Sequence, residues 1–196
     1  MLLLLVLLVQ SCTSLENESS AISFALTHPP YSESYRCSEH RDGELPHLGD
    51  ALGADCTIER LVDLGGRVWV RSYESDGRTN EQWYGYGADV LAPCDCRVLQ
   101  IRVNEEENKP GIPGTPPASY ITFLRPDGVH IMFSHIRDAR ASVGESVVAG
   151  EVVASVGNNG YSRHPHLHIG AWLGERALQI RFDQTRMKPI VIEPKP

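Results

Sequence analysis

Short apolar segments separated by glycine- and proline-containing turns dominate the second half of this 196-residue chain. Four segments alternate apolar and polar residues, as strands with one buried face do: 119–125, 129–136, 147–157 and 166–173. Turn residues cluster between them at 126–128, 143–145 and 157–160. No stretch of ten residues carries a convincing helical period. We therefore predict an all-β fold, an antiparallel β-sandwich or barrel-like domain.

The first half of the chain contains further strand candidates. Residues 57–64 and 67–73 flank Gly65-Gly66, a pattern typical of a β-hairpin. Residues 90–103 predict one or two more strands around a turn at 93–96. Residues 104–118 are polar and rich in Pro and Gly, so we predict a surface loop that forms a wall or lid beside a groove.

The chain opens with an unbroken apolar run at residues 2–9. This run is shorter than the roughly 20 residues of a membrane-spanning helix, but it has the length of a secretory h-region. Val9-Gln10-Ser11-Cys12 resembles a bacterial lipobox, although Gln10 is unusual there and no Lys or Arg precedes the run. We predict a signal peptide at 1–12 and a lipid anchor at Cys12, which would place an exported protein at the membrane, facing the periplasm or the cell exterior. Ordinary cleavage, or a plain buried segment, is the alternative.

Composition divides the remainder of the chain. Residues 13–35 are rich in Ser, Glu, Thr and Pro and are predicted to form a flexible tether. An N-terminal extension (36–80), the main β-domain (81–185) and a C-terminal tail (186–196) follow. The formal net charge is −7 and no basic run is present, which argues against a nucleic-acid partner.

Four cysteines follow Cys12, and an even number in an exported chain predicts two disulfides. They are Cys37, Cys56, Cys94 and Cys96. A bond between Cys94 and Cys96 would close a very small ring. We therefore predict that each of these two pairs with Cys37 or Cys56, which would fasten the extension to the core. A cysteine-based zinc site is the weaker alternative, because the chain has no Cys-x-x-Cys.

Most of the candidate metal-binding and catalytic residues are histidines. His166 and His168 lie two residues apart on a predicted strand, so both side chains project from one face, roughly 7 Å apart. Such a pair can share one metal ion, or one imidazole can bind metal while the other acts on water; a solvated histidine pair is the alternative. His135 ends an apolar stripe, where a histidine is usually a packing residue. Asp89 directly precedes an apolar strand, as an ordinary loop residue also does.

Taken together, these segments resemble the lysostaphin-type peptidoglycan endopeptidases, from Asp89 to Trp172. Asp89-Val-Leu-Ala-Pro93 is similar to the family's Asp-Ile-x-Ala-Pro stretch, and Phe133-Ser-His135-Ile is similar to its Tyr-x-His-Leu stretch. The glycine-spaced run at 144–157 is similar to the one that leads to the family's His-x-His, here His166-Leu167-His168.

This resemblance implies an all-β domain of the duplicated-hybrid-motif type and a zinc-dependent endopeptidase acting on peptidoglycan peptides. Asp89 and His168 would be Zn²⁺ ligands, and His135 and His166 the catalytic histidines. Zinc would act as a Lewis acid, while the two histidines would accept the proton of water and hold the developing oxyanion.

One position departs from the family pattern. The family's first metal ligand is a histidine four residues before the aspartate, and Gly85 stands there. The candidates for a third ligand are His47, Asp50 or Asp55 from the N-terminal segment, and Glu81 from just upstream. The alternative is a catalytically degenerate relative that binds cell-wall material or regulates another wall hydrolase. A structural lipoprotein that pairs with an envelope partner is a third hypothesis.

Overall fold

A computed structural model describes residues 21–193. Within this range the chain forms fifteen strands and two short 3-10 helices and no α-helix, which confirms the predicted all-β class. The strands are β1 (Phe24–Thr27), β2 (Tyr35–Glu39), β3 (Ala54–Ile58), β4 (Arg60–Asp63), β5 (Val68–Arg71), β6 (Asp89–Leu91), β7 (Cys96–Arg102), β8 (Tyr120–Leu124), β9 (His130–Ser134), β10 (Ile136–Arg137), β11 (Ser146–Val147), β12 (Val152–Val156), β13 (Leu167–Leu173), β14 (Arg176–Phe182) and β15 (Ile192–Glu193). The 3-10 helices are Asn80–Gln82 and Gln184–Arg186.

Nine strands form the main sheet, in the order β1-β14-β13-β9-β8-β7-β11, with β3 added to β13 and β2 added to β3. All its pairings are antiparallel except that of β1 with β14. Two three-stranded sheets, β10-β12-β6 and β15-β4-β5, complete the described fold. The predicted Gly65-Gly66 hairpin is the antiparallel pair β4–β5.

Alternation along the central strands builds the core. Ile121 and Phe123 of β8, with Ile131 and Phe133 of β9, project from one face and are at most 1% exposed. The two phenylalanine rings meet edge to face, with centroids 5.4 Å apart. Burying each such side chain contributes about 1.5–3 kcal/mol. Strand β9 also pairs with β13, and the predicted site histidines lie at or beside the ends of these two strands.

The two terminal segments differ from their predictions. Residues 24–27, predicted to be part of a flexible tether, form β1, in which Ala25 and Thr27 are buried. Four residues that add an edge strand to β14 carry too short an alternation to be recognised in the sequence. The predicted C-terminal tail contains β15, which pairs with β4. The predicted signal peptide, Cys12 and residues 13–20 lie outside the described residues.

The disulfide prediction is wrong. Cys37 bonds to Cys56, and Cys94 bonds to Cys96. Cys37 and Cys56 are register partners of the antiparallel pair β2–β3, with Cα atoms 4.0 Å apart. Cys94 and Cys96 lie on either side of Asp95, with Cα atoms 5.3 Å apart. Both bonds are therefore local, and the extension is joined to the core by the pairing of β3 with β13.

Residues 104–118 contain no named strand, in agreement with the predicted surface loop. Their one ladder contact is an isolated bridge between Glu107 and Asn159. The side-chain amide of Asn108 donates hydrogen bonds to the carbonyl oxygens of Gly160 and Ser162. The loop is thereby anchored beside the segment that leads into β13. Across residues 21–193, no helix has the length and apolar character needed to cross a membrane.

Candidate metal centre

The three predicted histidines come together in one pocket of about 680 Å³. The rings of His135 and His166 have centroids 4.7 Å apart, and those of His135 and His168 are 6.3 Å apart. All three residues are buried, with exposures of 9%, 6% and 5%. Residues at 135 and 168 thus meet although more than thirty positions separate them in the chain.

Strand geometry positions each of these side chains. His168 lies in β13, between Ser134 of β9 and Asp55 of β3 in the register of the sheet. His166 directly precedes β13. His135 lies between β9 and β10 with a φ of 61°, in the left-handed region that residues other than glycine rarely adopt. Such strained backbone is concentrated at functional sites.

Backbone carbonyls fix the protonation pattern of the rings. A carbonyl oxygen only accepts hydrogen bonds, so the ring nitrogen facing it carries the hydrogen. Four pocket histidines each have one nitrogen so engaged: His135 Nδ1 with Asn159 O at 2.8 Å, His166 Nδ1 with His164 O at 2.8 Å, His168 Nε2 with Gly49 O at 2.9 Å, and His40 Nδ1 with Asp50 O at 2.9 Å. The opposite ring nitrogen of each histidine does not face that carbonyl and is the one that could bind a metal ion or exchange a proton.

The carboxylate of Asp55 lies among these remaining nitrogens. Its Oδ1 is 2.8 Å from His168 Nδ1 and 3.6 Å from His166 Nε2. Its Oδ2 is 3.4 Å from Nε2 of His40. Burial alone would raise the pKa of Asp55, but the nearby His166 imidazole and the hydrogen bond with His168 outweigh burial and hold that pKa well below its usual range. Asp55 is therefore a carboxylate at any physiological pH.

Burial and the Asp55 carboxylate shift the pKa values of His135 and His168 in opposite directions. Burial, reinforced by the neighbouring His166, lowers the pKa of His135 to about 3, so that its imidazole is neutral at pH 7. Burial would also lower the pKa of His168, but the hydrogen bond with Asp55 outweighs burial and raises that pKa above its usual value. Two neighbouring imidazoles thus have opposite pKa shifts, a pattern typical of functional sites.

The donor set beside His168 fits zinc. His40, Asp55 and His168 each offer one ligand atom, and these three atoms lie within 4.8 Å of one another. Two imidazoles and a carboxylate are a common zinc-binding set. Tetrahedral coordination at zinc–ligand distances of about 2.0–2.2 Å requires ligand atoms about 3.3–3.5 Å apart, and His40 Nε2 and Asp55 Oδ2 are 3.4 Å apart. A carbonyl on the far nitrogen of each imidazole is also the usual outer partner of a metal-binding histidine.

Asp89, the predicted carboxylate ligand, lies elsewhere. Its Oδ1 is 2.9 Å from a guanidinium nitrogen of Arg140, and its side chain is about half exposed. The same guanidinium donates to Ser155 Oγ, and Ser155 is the register partner of Asp89 between β12 and β6. Asp89 is not among the residues that line the histidine pocket. In this geometry the carboxylate beside His168 belongs to Asp55.

Of the other candidates for a third ligand, the fold places two in the pocket and one outside it. His47 and Asp50 line the pocket, and Asp50 Oδ1 lies 3.3 Å from His168 Nε2. Glu81 lies in the first 3-10 helix and does not line it. Gly85 has its nearest neighbours at Ile58 and at the carbonyl oxygen of Pro165, 3.8–3.9 Å from the place a Cβ would take. A Cβ at position 85 would make only ordinary van der Waals contacts, and glycine itself offers no side-chain atom to a metal ion.

Sequence reasoning missed two groups of site residues. His40 directly follows β2, and its place in the pocket can be inferred only when Cys37 is known to pair with Cys56. Asn158 and Asn159, predicted only as part of a turn, are fully buried. Asn159 accepts from the Ser119 backbone N–H and donates to the Ile136 carbonyl, while its own carbonyl orients His135.

The fold and the pocket together define an all-β domain with a zinc-type donor set and two further imidazoles. The model of peptidase family M23 matches residues 83–180, half of the chain, and the chain belongs to this family. The resemblance predicted from the motifs is thereby confirmed. A comparison with curated proteins gives no match.

Solved structures of similar fold include three peptidase-type proteins. The catalytic domain of lysostaphin from Staphylococcus simulans is 16% identical, with 74% of this chain and 77% of that chain covered and a TM-score of 0.40. A mutant catalytic domain of the prophage-encoded M23 protein EnpA from Enterococcus faecalis is 19% identical, with 75% and 87% covered and a TM-score of 0.48. A zinc-containing peptidase from Vibrio cholerae is 14% identical, with 64% and 48% covered and a TM-score of 0.38.

Proposed function

We propose that this protein is a zinc-dependent endopeptidase that hydrolyses peptide bonds of peptidoglycan in the bacterial envelope. One observation carries the proposal. In a member of a peptidase family, three buried histidines and a carboxylate converge on one pocket, and a backbone carbonyl orients each imidazole. A solvated histidine pair on a strand edge would have neither the burial nor these fixed orientations.

The residues divide the work of amide hydrolysis. Zinc held beside His168 would supply a Lewis acid for the scissile carbonyl. His135 is neutral at pH 7 and its Nδ1–H is held by Asn159, so its Nε2 lone pair is available to accept a proton from the attacking water. The proton that His135 accepts from water then passes to the departing amine, and His166, whose ring centroid lies 4.7 Å from that of His135, faces the developing oxyanion.

The walls of the pocket suit an extended peptide. Apolar surface comes from Leu45, Met132 and Tyr161, and the loop at 104–118 contributes Pro116 and Ala118. Arg163 adds a cation that can pair with a peptide carboxylate. Apolar walls with a few polar groups are typical of a ligand site, and a wall formed by the 104–118 loop agrees with its predicted role.

The proposed location is outside the cytoplasm, with a lipid anchor at Cys12 on the membrane. The two disulfides, Cys37–Cys56 and Cys94–Cys96, support an oxidising compartment. Radioactive palmitate labelling in a bacterial host would test the anchor, because a Cys12→Ser variant should lose the label and leave the membrane fraction. Equal labelling of the two proteins would exclude the anchor.

Hydrolysis is tested with purified protein and solubilised peptidoglycan. Incubation with zinc should produce new amino termini detectable by mass spectrometry, and a chelator should stop their appearance. The matched variants are His135→Ala and His166→Ala, with His28→Ala as the control because His28 lies outside the pocket. Absence of any product from wild-type protein with bound zinc would overturn the proposed activity.

A specific observation favours the alternative, a degenerate relative that binds cell-wall material or regulates another wall hydrolase. Gly85 cannot coordinate through a side chain, and the carboxylate of Asp89 is engaged by Arg140. Such a protein would sediment with insoluble peptidoglycan without cleaving it. Binding that persists in the His135→Ala variant, together with intact substrate, would support this function over hydrolysis.

A further inference from the structure

We infer that the N-terminal extension, residues 36–80, completes the metal centre, with His40 and Asp55 binding zinc together with His168. These two residues take over the task that the family pattern gives to positions 85 and 89. The inference deepens the proposed function, since it concerns the metal that the proposed hydrolysis requires. Neither His40 nor Asp55 lies within residues 83–180, the part of the chain matched by the family model.

The position of Asp55 follows from strand pairing. Asp55 of β3 and His168 of β13 are register partners in antiparallel strands. Partner side chains project from the same face with Cβ atoms about 5 Å apart, close enough to share an ion. The observed distance of 2.8 Å between Asp55 Oδ1 and His168 Nδ1 puts both groups at the ligand-bearing side of the pocket.

His40 reaches the site from the segment that directly follows β2. Its backbone N–H donates to the Gly53 carbonyl oxygen, and its Nδ1–H donates to the Asp50 carbonyl oxygen. These two bonds turn Nε2 toward Asp55, and the His40 ring stacks on the His168 ring with centroids 5.2 Å apart. The side chain is 17% exposed, so the orientation is set by contacts within the fold.

The loop between β2 and β3 packs closely against the His168 ring. A Cβ at Gly53 would lie 3.0 Å from His168 Cε1 and 2.9 Å from the Ile169 carbonyl oxygen. Glycine at this position therefore lets the loop close on the ring. Gly49 O then accepts from His168 Nε2, so Nδ1, which lies against the Asp55 carboxylate in the metal-free protein, is the nitrogen that would bind zinc once its proton is displaced.

The disulfide Cys37–Cys56 joins β3, which carries Asp55, to β2, which His40 directly follows. Cys56 directly follows Asp55, and Cys37 precedes His40 by three residues. A covalent link at this point limits the separation of β2 and β3 when the metal is absent. The extension thus presents its two ligands in a nearly fixed relationship to β13.

The experiment measures zinc affinity without substrate. Metal-free full-length protein is titrated with Zn²⁺ against a chromophoric chelator, and Co²⁺ is added separately to record its visible absorption. His40→Gln and Asp55→Asn are paired with the controls His28→Gln, at a histidine outside the pocket, and Asp89→Asn. Circular dichroism and a urea unfolding midpoint establish that each variant is folded.

We expect His40→Gln and Asp55→Asn to weaken zinc binding by more than about 10-fold, since loss of even an outer partner costs that much. His28→Gln and Asp89→Asn should leave the affinity unchanged. Weakening by Asp89→Asn but not by Asp55→Asn would overturn the inference, as would wild-type protein that binds no zinc. Tight zinc binding that depends on His40 and Asp55, without hydrolysis, would overturn the proposed function alone.

Discussion

Asp55 and His168 face each other across two antiparallel strands, with 2.8 Å between Oδ1 of the carboxylate and Nδ1 of the imidazole. One strand belongs to the part of the chain matched by the peptidase family and the other to the extension that precedes it. The candidate site is therefore shared between two segments that are far apart in the sequence.

Replacing either catalytic candidate should remove hydrolysis and leave the fold intact. His135→Ala and His166→Ala are each expected to lower kcat/KM by about 10²–10⁴-fold, the usual contribution of positioned proton transfer. Zinc affinity should change little, because neither residue is in the proposed ligand set. Product formation is followed by mass spectrometry under saturating zinc. Activity that survives in both variants would remove these histidines from the mechanism.

A methyl group at position 170 should loosen the extension from the site. A Cβ at Gly170 would overlap the Gly49 carbonyl oxygen, the acceptor for His168 Nε2. We expect Gly170→Ala to reduce the free energy of unfolding by about 1–3 kcal/mol and to weaken zinc binding. Gly85→Ala is the matched control, because the nearest atoms to its Cβ are 3.8 Å away, and it should remain within about 0.5 kcal/mol of wild type. Urea unfolding and chelator competition measure both effects, and equal behaviour of the two variants would contradict the proposed close approach.

Removing the buried amide of Asn159 should cost both stability and activity. Asn159→Ala leaves the Ser119 N–H and the Ile136 carbonyl without their partners, at about 1–3 kcal/mol for each buried group. Displacement of the same loop should also disturb His135, whose Nδ1–H donates to the Asn159 carbonyl. Asn104→Ala, which also removes two side-chain hydrogen bonds but at a partly exposed position, should have a small effect on unfolding. A similar loss of unfolding free energy in the two variants would contradict this account.

Two tyrosines near the extension should respond oppositely to loss of their hydroxyls. The Tyr35 hydroxyl is buried without a hydrogen-bond partner among the described residues, whereas Tyr31 donates to the Cys56 carbonyl oxygen at 2.9 Å. We expect Tyr35→Phe to leave the free energy of unfolding unchanged or to raise it. Tyr31→Phe should lower it by about 1 kcal/mol. The measurement is urea denaturation at pH 8, and a marked loss of stability in Tyr35→Phe would contradict the prediction.

Tyr35 also makes the free energy of unfolding depend on pH in the alkaline range. Burial raises the pKa of Tyr35 to about 12 from the ordinary value of 10.0. Between these two values the unfolded chain releases the tyrosine proton and the folded chain keeps it. The contribution of Tyr35 to stability is therefore complete below pH 10 and declines as the pH rises toward 12. Comparison of wild type with Tyr35→Phe by urea denaturation should show a shallower decline in the variant, and parallel curves would exclude this contribution.

Short-range patterns in the sequence predicted the strand-rich segments between residues 57 and 173 and the histidine pair, but not β1, β2, β14 or β15. The Gly65-Gly66 turn marks the β4–β5 hairpin, and the two-residue spacing of His166 and His168 brings both to one pocket. These features depend on neighbours along the chain or on a spacing that a strand preserves. The all-β class follows for the same reason.

Long-range pairings could not be derived in this way. Asp55 and His168 are separated by 113 positions, so a sequence motif contained in one segment does not connect them. The local bond of Cys37 with Cys56 depends on the register of β2 and β3, which the sequence did not reveal. The ligand role predicted for Asp89 rests on the family pattern alone, and the nearby Arg140 that engages it comes from a separate loop.

Strand β3 also covers one half of an otherwise open edge. It pairs with residues 167–169 of β13, while β14 pairs with 171–173. A recombinant fragment trimmed to residues 83–180 would therefore expose unpaired backbone donors and acceptors directly beside His168. Bare edges of this kind tend to recruit a strand from another copy of the protein. Domain boundaries drawn from family similarity would thus yield a self-associating product, and the preceding residues belong in any expressed fragment.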